Sequence, residues 1–132
     1  MMGYKANIEN LTTDNSKFRK VLYTGKHTQL VLMAIQPNEE IGLETHHEND
    51  QFFRFESGKG KVLIDGTEYA VADGDAVIVP AGSAHNVVNV SPTEILKLYT
   101  LYSPPHHKDQ IVRETKVEAE KNDEEYDGMT TE

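Results

Sequence analysis

The sequence predicts an all-β domain, either a β-sandwich or a small jelly-roll barrel. About eight or nine short apolar and β-branched runs follow one another before residue 103, punctuated by Gly, Pro, Asn and Asp turns. No helical period of useful length interrupts them. At 132 residues without a cysteine, the chain is long enough for one core and has no disulfide or thiolate metal site to support it.

Taken in order, residues 1–17 form a mixed polar segment in which Thr12-Thr13-Asp14-Asn15-Ser16 reads as a loop. Residues 18–113 carry the strands. Phe18 to Thr24 alternates as a first strand, and Thr28 to Gln36 is apolar on both faces. Outward apolar residues at Leu30 to Ile35 point to a subunit interface, so a homodimer is expected. Pro37 to Glu40 turns into a short strand over Ile41 to His46, followed by Gln51 to Ser57. Gly58-Lys59-Gly60 breaks that run. Lys61 to Ile64 and Thr67 to Val71 flank Asp65-Gly66, a hairpin turn signal. Ala76 to Val79, His85 to Val90 and Glu94 to Tyr102 complete the set, and Ile111 to Lys121 has some helical character. Residues 114–132 form an acidic tail expected to be disordered.

The charge is uneven. Eight acids against two bases give the tail −6, leaving −3 for the rest of a chain whose net charge is −9. That balance argues against nucleic acid and anionic membrane as partners. The start, Met1 to Asn7, lacks the apolar run of a signal peptide, and no stretch approaches the length of a membrane helix. With no cysteine to oxidise, a cytoplasmic location is expected.

The chemistry gathers around two segments. Glu44 and His46 lie two apart, so on a strand they face the same way. Gln51 opens the next apolar run and His85 opens a later one, behind Pro80 and Gly82. Four donors entering from three neighbouring strands are how an all-β protein builds a metal site. His47 offers an alternative register with Gln51, but it would put Thr45 where Glu44 now stands; His46 keeps the carboxylate. Phe53, Phe55, Val87 and Leu98 are core positions whose inner members would wall a pocket. Tyr102, His106 and His107 are candidates for acid or base work. No arginine or lysine cluster accompanies these residues in the sequence, so no phosphate clamp is evident.

Gly74, five residues, Pro80-Ala81-Gly82-Ser83-Ala84-His85, three residues and Asn89 match the second cupin motif at every fixed position. The first cupin motif reads His-x-His, three or four residues, Glu, six residues, Gly; here it is Glu44-Thr45-His46, four residues, Gln51, six residues, Gly58. The chain therefore resembles a small single-domain cupin of the conserved-barrel type, a group likened to the metal-binding domain of mannose-6-phosphate isomerase. The resemblance implies a double-stranded β-helix, with one divalent ion on Glu44, His46, Gln51 and His85. The family's three His and one Glu become two His, one Glu and one Gln, which keeps the carboxylate count at one. Mn, Fe, Zn, Ni and Co all suit such donors. The expected function is metal-dependent isomerisation or oxygenation of a hydroxy-carbonyl small molecule, sugar- or polyketide-like. The alternative is a barrel that binds a small molecule and turns nothing over.

Overall fold

The computed structural model describes residues 1–132. Ten strands run as β1 (Arg19–Thr24), β2 (Gln29–Ile35), β3 (Glu44–Thr45), β4 (Asp50–Ser57), β5 (Lys59–Ile64), β6 (Thr67–Ala72), β7 (Ala76–Val79), β8 (Ala84–Asn89), β9 (Leu96–Ser103) and β10 (Val112–Arg113). Two helices flank them, α1 (Ile8–Asp14) and α2 (Lys116–Lys121). The strands form a six-stranded sheet, β10-β1-β2-β9-β4-β7, facing a four-stranded sheet, β3-β8-β5-β6. Every pairing is antiparallel. The expected all-β double-stranded β-helix is therefore what the chain forms.

Strand register explains why one end of this barrel is dry and the other polar. On the inner face of the larger sheet, Met33, Leu98 and Phe55 pair across β2, β9 and β4, and Val31, Thr100 and Phe53 form the next row. The row beyond is Gln29, Tyr102 and Gln51. The opposite sheet repeats the gradient. Val62 pairs with Val87, while the adjacent inward row is Glu44, His85 and Ile64. Apolar rows fill the interior, with Phe53, Phe55, Val87 and Leu98 all at 1 % exposure or less. The polar rows of both sheets meet at the mouth.

At the far end Asn89 ties the sheets together. Its side-chain amide donates to the carbonyls of Ile35, Gln36 and Glu94 at 2.8–3.1 Å, and its Oδ1 accepts from the Ser91 amide at 2.9 Å. The Asp65-Gly66 hairpin forms as expected, both residues with positive φ (47° and 85°).

Three expectations change. Residues 8–14 are helical rather than a loop; Asn7 caps the helix by accepting from the Asn10 amide at 3.0 Å. Seven residues are too few for a periodic signal. This helix packs on β2, β9 and β4, on the outer face where Leu32 and Ala34 are buried. Within the single chain α1 covers part of that face. Gly60 does not break the chain but lies inside β5, opposite Asn89 and Val71. Finally, the acidic segment is not a loose tail. Ala119 is buried in the core, and Glu114 and Glu124 pair with Lys17 and Arg113. Glu132 accepts from the Met2 and Gly3 amides and from Tyr23. Composition counts charges but not the partners a fold brings to them.

Candidate metal centre at the barrel mouth

Glu44 and His85 are directly opposed across β3 and β8, and His46 follows two residues on, beyond the end of β3. One donor atom from each of Glu44, His46 and His85 lies within 4.8 Å of the others. His46 Nε2 donates to Glu44 Oε2 at 3.0 Å, and its ring is 5.2 Å from that of His85. His47, the alternative, is exposed and outside the cluster. Ser83 O accepts from His85 Nδ1 at 3.1 Å, which leaves Nε2 as the free donor atom for a cation.

Gln51 reaches the same end from the other sheet and is 2 % exposed. Its Nε2 donates to Thr100 Oγ1 at 3.0 Å, but its Oε1 is buried without a hydrogen-bond partner. Buried amide oxygens are normally satisfied, so an orphan at the same end of the barrel as these donors fits a cation ligand. Imidazole nitrogen, carboxylate and amide oxygen together suit divalent first-row metals.

The electrostatics favour a cation. Burial alone would push the Glu44 carboxyl up, but the His46 hydrogen bond and the charges of His46 and Arg19 outweigh it and hold it below its ordinary value. For His85, burial keeps the imidazole below its usual range, against the Ser83 carbonyl. An ionised carboxylate beside a neutral imidazole is the protonation state that ligation needs.

Residues 103–110 cross the mouth as a strap. Gln29, fully buried, holds it: Nε2 donates to His107 O at 2.7 Å, while Oε1 accepts from the His106 and His107 amides at 3.2 and 3.0 Å. Asn49 donates to the Pro104 carbonyl from the other side. This seats the His106 ring 4.3 Å from His46, and burial lowers its pKa to about 4. His107 and Tyr102 turn inward instead. His107 Nε2 and the Tyr102 hydroxyl are hydrogen-bonded at 3.2 Å, and burial drives the phenol well up and the imidazole well down.

His107 gives a pH prediction. Its folded pKa lies below the ordinary 6.5, so the unfolded chain takes up a proton that the folded chain refuses. That contribution to stability is complete above the unfolded value and is lost as pH falls below it. Between pH 7 and pH 5 the stability of His107→Gln should fall less than that of wild type. Urea denaturation at the two pH values measures the difference.

Of the residues expected to line a pocket, Phe53 reaches the site, its ring 6.3 Å from His85, and Phe55, Val87 and Leu98 belong to the packed rows. The cleft beside Glu44 is instead walled by Arg19 and Ile41 from the barrel and by Lys116, Glu120 and Asp123 from the C-terminal segment, and encloses about 240 Å³. Arg19, Gln29 and Asn49 were not singled out from the sequence. Only the inward parity of Gln29 on its strand hinted at a role.

Comparisons with known proteins agree with this geometry. Residues 31–102, more than half of the chain, match the cupin domain model. An uncharacterised protein of Bacillus subtilis, YrkC, is 43% identical over 122 residues, covering 88% of this chain and 65% of the relative. The chain thus spans about two thirds of that relative's length. The crystal structure of BH2720 from Bacillus halodurans superposes with a TM-score of 0.88 at 42% identity, covering 90% of this chain and 94% of that one. An RmlC-like cupin from Shewanella frigidimarina shares the fold, with a TM-score of 0.59 at 24% identity, covering 65% of this chain and 74% of that one. No helix is long and apolar enough to cross a membrane. On its motifs, its barrel and these matches, the chain belongs to the cupin family.

Proposed function

We propose that this cupin holds one divalent metal ion through Glu44, His46 and His85, with Gln51 as fourth donor, and presents it to a hydroxy-carbonyl small molecule. The observation that carries the reading is the convergence of three donor atoms within 4.8 Å at the open end of the barrel. The partnerless Oε1 of Gln51 supports the fourth position. When bound, such an ion supplies Lewis-acid polarisation of a carbonyl or, if it is iron, a site for O₂. The protein's part is orientation, exclusion of water by the strap, and proton handling. Of the three expected proton carriers, His106 alone faces His46 without a hydrogen bond to Tyr102. Its neutral ring can take a proton from carbon beside a carbonyl, as isomerisation requires.

A non-catalytic binding module is the second reading. It is favoured by the mutual hydrogen bond that withdraws Tyr102 and His107 from solvent. The binding module holds its small molecule with or without the ion, whereas the enzyme needs it. Elemental analysis of untagged protein should find about one divalent ion per chain, lost in Glu44→Ala and in His85→Ala. An ion that survives both substitutions, or none in wild type, refutes the metal centre. Turnover of hydroxy-carbonyl compounds by the loaded protein, abolished in His106→Phe while the ion stays bound, separates enzyme from binding module.

A further inference from the structure

Arg19 enters the cleft beside Glu44 with nothing to hold. Its Nε is buried without a hydrogen-bond partner, and the residue takes part in none of the chain's seven ion pairs. Directly across β1 and β10 stands Arg113, so two like charges face one another on the same side of the sheet. Arg113 is provided for: its guanidinium donates to Asn122 O at 3.1 and 3.2 Å and to Glu124 Oε1 at 3.2 Å. Arg19 has only the Phe18 ring, 5.4 Å from its Cζ. A buried unpaired N–H and an opposed like charge both weaken the fold. Residues that break local rules in this way cluster at functional sites.

The surroundings define what would satisfy it. The cleft sets Arg19 and Lys116 against Glu44, Glu120 and Asp123, and Lys116 already reaches Glu120 at 3.8 Å. With Lys116 and Glu120 paired, Arg19 faces Glu44 and Asp123, so the cleft offers one guanidinium among carboxylates and no surplus of positive charge. That suits a planar monoanion, which the guanidinium fork matches in two parallel hydrogen bonds, better than a phosphate dianion. The volume of about 240 Å³ lies below the roughly 300–1,000 Å³ of drug-sized sites. The charge of Arg19 also bears on Glu44, Tyr102, His106 and His107.

We infer that Arg19 binds the carboxylate of a short hydroxy or keto acid in the cleft beside Glu44, which makes the site's small molecule an acid. The inference rests on the proposed metal centre for the other end of that molecule, whereas the carboxylate contact belongs to Arg19 itself.

The test is calorimetric titration of the full chain with glycerate, glycerol and glycerol 3-phosphate, in wild type, Arg19→Gln and Arg19→Lys. Wild type should bind glycerate saturably and glycerol not at all. Affinity for glycerate should fall by ~10-fold or more in Arg19→Gln, with Arg19→Lys between, because the lysine keeps the charge and loses the fork. Since Arg19 makes no hydrogen bond or ion pair within the fold, Arg19→Gln should melt at or above the wild-type temperature. A lower melting temperature would make Arg19 a structural residue and overturn the inference. So would unchanged glycerate affinity in Arg19→Gln, or no saturable glycerate binding. Glycerol 3-phosphate bound as tightly as glycerate would overturn the carboxylate in favour of phosphate. Ion content is read on the same samples. Arg19-dependent glycerate binding without a stoichiometric ion would refute the metal centre and leave this inference standing. A stoichiometric ion with Arg19-independent binding would do the reverse.

Discussion

Replacing Gly58 by alanine should destabilise the protein by roughly 2–5 kcal/mol. Two separate costs combine. Gly58 has a φ of +91°, a conformation that costs a side-chain-bearing residue about 1–2 kcal/mol. A Cβ there would also lie 2.6 Å from Ile95 O and 3.0 Å from Leu96 Cα. Both are backbone atoms, so no rotamer change relieves the collision, and overpacking of this kind costs about 1–3 kcal/mol. The position matters because β4 ends here and β5 begins in the other sheet, while the β4–β9 register shifts between Phe55 and Ser57. Gly66→Ala is the control: its φ is +85°, but nothing lies within 4 Å of the added carbon. Guanidinium denaturation of both variants should show the larger loss at Gly58. Equal losses would mean that the Ile95 backbone gives way without cost.

Gly58 also shows what kind of information the sequence carried. It was legible as a fixed point of a motif, but its job, letting one sheet pass to the other against the Ile95 backbone, was not. Asn89 is similar, a motif residue whose four hydrogen bonds close the far end of the barrel and touch no site. Alternation located the inward faces of β4 and β9 well, because a side-chain period of two leaves little freedom once Phe53, Phe55, Leu96 and Leu98 must be buried. Glu44, His46 and His85, each tied to a motif of fixed spacing, lie together in the fold. Parity names a face, however, and not a height along the barrel. Gln29 shares the face of Val31 and Met33, and only its pairing with Tyr102 and Thr24 places it at the mouth. Arg19 shares a cleft with Glu44 only because β1 and β3, strands of different sheets, come together at this end, and no local pattern announces that. The order of the acidic segment was missed for a related reason. It comes from long-range hydrogen bonds, such as Tyr126 N to His106 O and Thr131 N to Thr24 O, rather than from any periodic face.

Gln51→Glu should move stability and metal affinity in opposite directions. In the ion-free protein a carboxylate would sit at a position 2 % exposed, in the site that already holds Glu44. Burial and the like charge both disfavour its ionised form, so it protonates or weakens the fold, by about 1–3 kcal/mol. Thr100 limits the damage, because its hydroxyl, which now accepts from Gln51 Nε2, can turn to donate. With a divalent ion present the sign reverses. A charged donor replaces a neutral amide oxygen, the formal charge of the loaded site falls from +1 to zero, and the neighbouring carboxylate becomes an advantage. Retention of the ion against a chelator should strengthen by ~10-fold or more, the equivalent of about 1.4 kcal/mol. Melting curves should therefore cross, the variant below wild type after chelation and above it with saturating metal. The contrast distinguishes two explanations of the orphaned Gln51 Oε1. If that atom faces the ion, affinity rises with the added charge. If it only marks an imperfectly packed mouth, the variant loses stability in both states and chelator resistance stays where it was.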